Sequence, residues 1–127
     1  MAPSSPEMPK GFPRRFRSTV HGTVFAGRDR HIPAMHAGDR VVLIPDPPGQ
    51  TDPEVWVHLE SGDPVGHLPR EISSWLWRWL RRGGEVSAVA LAVHGSDTPS
   101  WRRLLLEVHC AGVVATGSTV DAGGAPA

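Results

Sequence analysis

Seven histidines and one cysteine are the most reactive side chains of this 127-residue sequence, and their spacing decides what they can do together. His31 and His36 stand on either side of Pro33, which keeps them off a common helix face. His58 and His67 flank a turn sequence and could meet across a hairpin. His109 and Cys110 are neighbours, so on a strand they point to opposite faces. Neither His-Glu-x-x-His nor a paired Cys-x-x-Cys spacing occurs, so no metal and no cofactor is expected. Gly-x-Ser-x-Gly is absent as well. Cys110 ends an apolar run, where a thiol serves as a small buried hydrophobe rather than a nucleophile. No glycine loop of the Walker or dinucleotide kind occurs, which excludes an ATP-driven motor from this sequence. The expectation is a protein that binds rather than catalyses.

Charge is more informative than any reactive group. Lys+Arg and Asp+Glu are 13 each, so the formal net charge is zero and a uniformly basic binder is excluded. The distribution is uneven. Residues 39–63 carry Asp39, Asp46, Asp52, Glu54, Glu60 and Asp63 against Arg40 alone. Residues 70–82 carry Arg70, Arg78, Arg81 and Arg82 against Glu71. A basic strip therefore stands beside an acidic loop. Guanidiniums next to exposed aromatics suit single-stranded nucleic acid, because phosphates meet Arg while bases stack. Arg81 and Arg82 equally suit the negative end of a helix dipole, and both readings stay open. One cysteine excludes an internal disulfide and fits a reducing, cytoplasmic setting. No apolar run approaches the ~20 residues that cross a bilayer, and the first residues lack a secretory apolar stretch, so no membrane partner is expected.

The elements that must position these groups are mostly strands. Residues 1–15, rich in Pro, read as a disordered arm, and residues 111–127 read as a flexible tail around a folded unit at 16–110. Arg17–Phe25 holds a β-favouring set that Gly27 breaks, and Arg28–Ala37 with Pro33 is at most an irregular helical turn. Arg40–Ile44 is a strand that Pro45 ends. Val55–Leu59 and Val65–Leu68 flank Ser61-Gly62-Asp63-Pro64 as a hairpin. Glu85–His94 and Trp101–Cys110 are the last two strands. Between them lies the one helix, opening at Pro69 and closed by Gly83-Gly84. Ile72, Trp75, Leu76, Trp79 and Leu80 form its apolar stripe. Trp77 lies off that stripe and joins Trp56 as a candidate exposed aromatic. The sum is a mainly β fold with one α-helix: a small OB-like, partly open β-barrel of about six strands capped by a single amphipathic helix.

Val20-His21-Gly22-Thr23-Val24-Phe25-x-Gly27-Arg28, Gly38-Asp39-x-Val41-x-Leu43, Asp46-Pro47 with Asp52-Pro53, and Gly66-His67-Leu68-Pro69-Arg70-Glu71-Ile72 form a more specific pattern. Together they resemble the HIRAN domain family, in its free-standing bacterial type, over roughly residues 18–110. The resemblance implies an OB-like barrel that binds single-stranded DNA at its 3′-hydroxyl end; in the family the domain often precedes helicase-type ATPase regions, and whether this chain acts alone or with a separately encoded helicase or nuclease stays open. It also implies site residues. The base-stacking aromatic of the first strand falls at Phe25, and the acidic residue that accepts from the terminal 3′-hydroxyl falls at Asp52. The basic residue at the helix start falls at Arg70, with His67 beside it in reach of phosphate or sugar. The aromatic before the acid falls at Thr51, which cannot stack. The cation beside the first aromatic falls at Val24, and an Asn of the loop falls at Gly49. A last-strand aromatic would fall near His109 or Cys110. Each missing stacker removes about 1–3 kcal/mol of affinity. The alternative function is therefore a protein-interaction scaffold that uses the same groove with DNA binding lost.

Overall fold

The structure is a computed structural model that describes residues 13–111. The expected arm and tail lie for the most part outside the described residues, and Arg15, assigned above to the arm, already belongs to the first strand. Six strands form one antiparallel sheet: β1 Arg15–Thr19, β2 Arg40–Pro45, β3 Val55–Leu59, β4 Pro64–His67, β5 Val86–Val93 and β6 Leu104–Cys110. Their spatial order is β1-β6-β5-β2-β3-β4, so β1 and β4 are the two edges. The sheet curls until those edges approach. Just past β1, His21 pairs with His67 at the end of β4 through N–H···O bonds of 2.8 and 2.9 Å. That single bridge closes the seam at one point only and leaves a half-barrel, the mainly β, OB-like class the strand pattern predicts.

Helix α1, Arg70–Arg81, covers one end of the curl. Trp75, Leu76 and Trp79 are buried and Ile72 and Leu80 half-buried, as the stripe requires. Burial of each full side chain contributes about 1.5–3 kcal/mol. Trp75 meets Phe16 of β1 edge to face at 5.6 Å, which ties the helix to the sheet edge. Pro69 is the residue before the helix rather than its first, so α1 opens on Arg70. At the far end Gly83 N–H reaches Leu80 O and Gly84 N–H reaches Trp79 O, a Schellman closure that Gly83 permits with φ +97°. Cys110 is fully buried, and desolvation pushes its thiol up to about 11, with Arg14 pulling the other way. It is an unreactive core group, as its place in an apolar run suggests.

Most strand bounds shift by one or two residues, and two differ by more. The first strand stops at Thr19, and Phe25–Ala34 is a 3-10 segment kinked at Ala26 and Gly27, both with positive φ. β-propensity at Thr23, Val24 and Phe25 is overruled because Gly22 turns the chain, with φ +71°, immediately after the His21 bridge. Likewise β6 begins only at Leu104, because Pro99 opens a short 3-10 turn, Ser100–Arg102, that holds Trp101.

Candidate nucleic-acid interface

A cleft of about 710 Å³ lies between α1, the Gln50–Glu54 loop and the end of β4. It gathers three of the five residues expected to contact DNA: Asp52, His67 and Arg70. Asp52 stands on the loop with φ +50°, a left-handed conformation that Asp tolerates better than most residues. Its carboxylate accepts from the Arg70 guanidinium across the cleft at 3.3 Å. Both side chains are mainly exposed, 63% and 78%, so the pair itself stabilises by only ~0–1 kcal/mol. A ligand that offers a hydroxyl to Asp52 and a phosphate to Arg70 separates them at little cost.

His67 is held much more firmly. Its Nδ1 lies 2.7 Å from a Glu54 carboxylate oxygen and 3.1 Å from Leu68 O. Two acceptors on one nitrogen assign the proton to Nδ1. Its Nε2 edge lies over Gly22, where a β-carbon would sit only 2.7 Å away. The Trp56 ring meets it edge-on at 5.3 Å. His67 therefore lines the cleft while it closes the barrel seam.

One carboxylate organises this side of the molecule. Asp46 accepts from Trp56 Nε1 and from Glu54 N–H, each at 2.8 Å, and its carbonyl accepts from Trp77 Nε1 at 2.8 Å. Arg28 lies over the Trp56 ring, 4.8 Å from its centroid, and donates to Gly22 O. The two tryptophans expected to be exposed are consequently half-buried and fixed, although Trp77 does contribute to the cleft wall. Asp46 reads as a turn residue in the sequence, and nothing local signals its role as an anchor. Replacing Asp46 by Ala leaves two partly buried donors unmet. The expected cost is about 1–3 kcal/mol, with a red shift of tryptophan emission. Chemical denaturation and fluorescence check this, and unchanged values contradict the anchor role.

The other expected residues lie elsewhere. Phe25 is 67% exposed at the start of the first 3-10 segment and is not among the residues that line the cleft. Thr51 is exposed beside Asp52 but does not line the cleft either. On β6 His109 is exposed and Cys110 is buried, and neither reaches the cleft. Trp101, read as the opening of a strand, is instead 49% exposed with the Arg102 guanidinium 5.6 Å over its ring. Thr23 Oγ1 donates to Ser100 O, and Arg103 pairs with Asp29 at 3.7 Å. Those contacts bring the turns that carry Phe25 and Trp101 together. Thr98-Pro99 is the sequence signal that would have separated Trp101 from the strand. Among the described residues no cluster of three or more His, Cys, Asp or Glu could hold a metal ion, and no helix is long and apolar enough to cross a membrane.

The chain is a curled, OB-like half-barrel of six strands with one covering helix and an acid–base pair at the helix start. Among solved structures the chain is similar to the HIRAN domain of human HLTF, with a TM-score of 0.50 over 76% of this chain and 72% of that one. Sequence identity is 17%, so the likeness is one of fold. No protein-family model and no curated protein matches the sequence.

Proposed function

We propose that this chain is a non-enzymatic nucleic-acid-binding module that takes the 3′-hydroxyl end of single-stranded DNA into the cleft between α1 and the Gln50–Glu54 loop. The observation that carries the reading is the exposed Asp52–Arg70 pair, a hydroxyl acceptor and a phosphate donor 3.3 Å apart across one concavity. A terminal sugar has both groups to offer: its 3′-hydroxyl donates to Asp52, and its 5′-side phosphate meets Arg70. His67, oriented by Glu54, forms the wall beside them. Phe25 and Trp101, exposed on two turns that the Thr23–Ser100 bond joins, serve in this reading as stacking surfaces for further bases outside the cleft. A separately encoded helicase or nuclease supplies the chemistry in this reading.

The scaffold alternative is favoured by Thr51, which cannot stack on a base and does not line the cleft. Fluorescence anisotropy with a 5′-labelled oligothymidylate at low salt separates the two. DNA binding should weaken with salt with a slope of a few phosphates, and Arg70→Gln should reduce affinity about tenfold. Unchanged anisotropy at high micromolar protein contradicts the DNA reading and favours the scaffold.

A further inference from the structure

We propose that the outward face of α1 is a phosphate track that continues the cleft. A bound strand runs from its terminus at Asp52 along the helix, with its backbone on Arg78 and Arg82. The proposal rests on the reading of the cleft as a nucleic-acid site and adds to it a direction and a length.

Arg70, Ser74, Arg78 and Arg82 recur every fourth position, and all four are exposed. In an α-helix each such step advances about 6 Å, so the row extends about 18 Å from one end of α1 to the other. Successive phosphates of an extended strand can be met by a row of this kind. Arg70, Ser74 and Arg78 already line the cleft, and the indole of Trp77 lines it too. That indole is fixed by its bond to the Asp46 carbonyl, so it offers a constant surface rather than a mobile one.

Charge along the helix changes sign in the sense the track requires. The carboxylates of the cleft, Asp52, Glu54 and Glu71, gather at the N-terminal end of α1, and two of them are engaged with Arg70 and His67. Among the described residues Arg78, Arg81 and Arg82 meet no carboxylate. Acid therefore surrounds the place of a neutral hydroxyl, while uncompensated guanidiniums follow the path of the charged backbone. The helix dipole is served by Arg78 and Arg81 in the last turn and by Arg82 at the C-cap, wherever their side chains face. It does not require Arg78 to face the cleft, and Arg78 does so.

The test compares 3′-hydroxyl oligothymidylates of roughly two to eight nucleotides on the full chain, on the single variant Arg82→Gln and on the double variant Arg78→Gln/Arg82→Gln. Arg40→Gln, an exposed arginine on β2, is the charge control. Wild-type affinity is expected to climb about tenfold between the shortest oligonucleotide and one of about five nucleotides, then level off. The single variant Arg82→Gln, outside the cleft, should bind the dinucleotide as the wild type does, and the double variant should lose the climb. Its slope of log affinity against log salt for the longer strands should be shallower by about 1.4, or 0.7 for each single-strand phosphate released. Circular dichroism should show α1 intact in every variant. A wild-type affinity that does not grow with length overturns the track. So does a double variant that keeps the climb and the slope, or an Arg40→Gln variant that loses as much. End recognition survives each of these results, because the dinucleotide reports it separately. Absence of binding even to the dinucleotide removes both proposals.

Discussion

Gly66→Ala should lower the unfolding free energy by about 3 kcal/mol, near the top of the usual range for overpacking. For a domain of this size that corresponds to a melting temperature lower by roughly 10–20 °C. A β-carbon on Gly66 would lie 2.4 Å from His21 O and 2.6 Å from Val20 Cγ1, and real β-carbons do not approach backbone oxygen so closely. The crowded atom is backbone, and it belongs to the residue that joins the two sheet edges. His21 O accepts from His67 N–H at 2.9 Å, so the displacement breaks the bridge that closes the seam. His67 and the cleft wall then move with it, and ligand binding should fall together with stability. Gly95→Ala is the matched control, because its added methyl would meet only the flexible Asp97 carboxylate, at 3.3 Å. Thermal denaturation of the three proteins checks this. Equal melting temperatures for Gly66→Ala and the wild type would mean that the seam is not closed as described.

Asp52→Asn should change what the cleft selects while leaving the fold intact. Asn accepts the left-handed conformation at this position, and the lost ion pair is mainly exposed, so stability should move by less than about 1 kcal/mol. The effect on ligands is larger. A carboxylate accepting from a hydroxyl contributes about 1.5–3 kcal/mol. The same carboxylate repels a phosphate at contact distance by ~1–4 kcal/mol per pair of unit charges at the effective dielectric constants of water and of a protein surface. Without the charge, affinity for a 3′-hydroxyl strand should fall about tenfold, and affinity for the 3′-phosphate strand should rise as Arg70 is released to meet it. Titration of both oligonucleotides into the variant measures this. A variant that still prefers the hydroxyl by the wild-type margin would exclude Asp52 as the selecting group.

How far these features are legible in the sequence follows from how local their causes are. Helix α1 is visible because its stripe, from Ile72 to Leu80, and its Gly83-Gly84 closure are fixed within a dozen neighbouring residues. β2, β3 and the hairpin turn are visible for the same reason. The fate of Thr23, Val24 and Phe25 is not local. It depends on Gly22 packing under the His67 ring and on the bridge from His21, both contacts between segments distant in sequence. Trp56 looks exposed by alternation, yet Asp46 and Arg28 fix its edge and its face from two other elements. At the site, Asp52 and Arg70 are named by resemblance to a family. Their meeting at 3.3 Å follows from the pairing of β3 with β4, which brings the start of β3 beside the start of α1. Trp101 lies off the strand because Pro99 starts a turn, Ser100–Arg102, ahead of the apolar run that begins at Leu104.

The most direct measurement is the affinity of the wild-type chain for one short single-stranded DNA carrying either a 3′-hydroxyl or a 3′-phosphate, at a single low salt concentration. Recognition of a chain terminus by Asp52 predicts binding of the hydroxyl form at least about tenfold tighter, despite the extra charge that a phosphate offers to nearby arginines. Equal affinities, or tighter binding of the phosphate form, would mean that the cleft attracts negative charge and does not read an end.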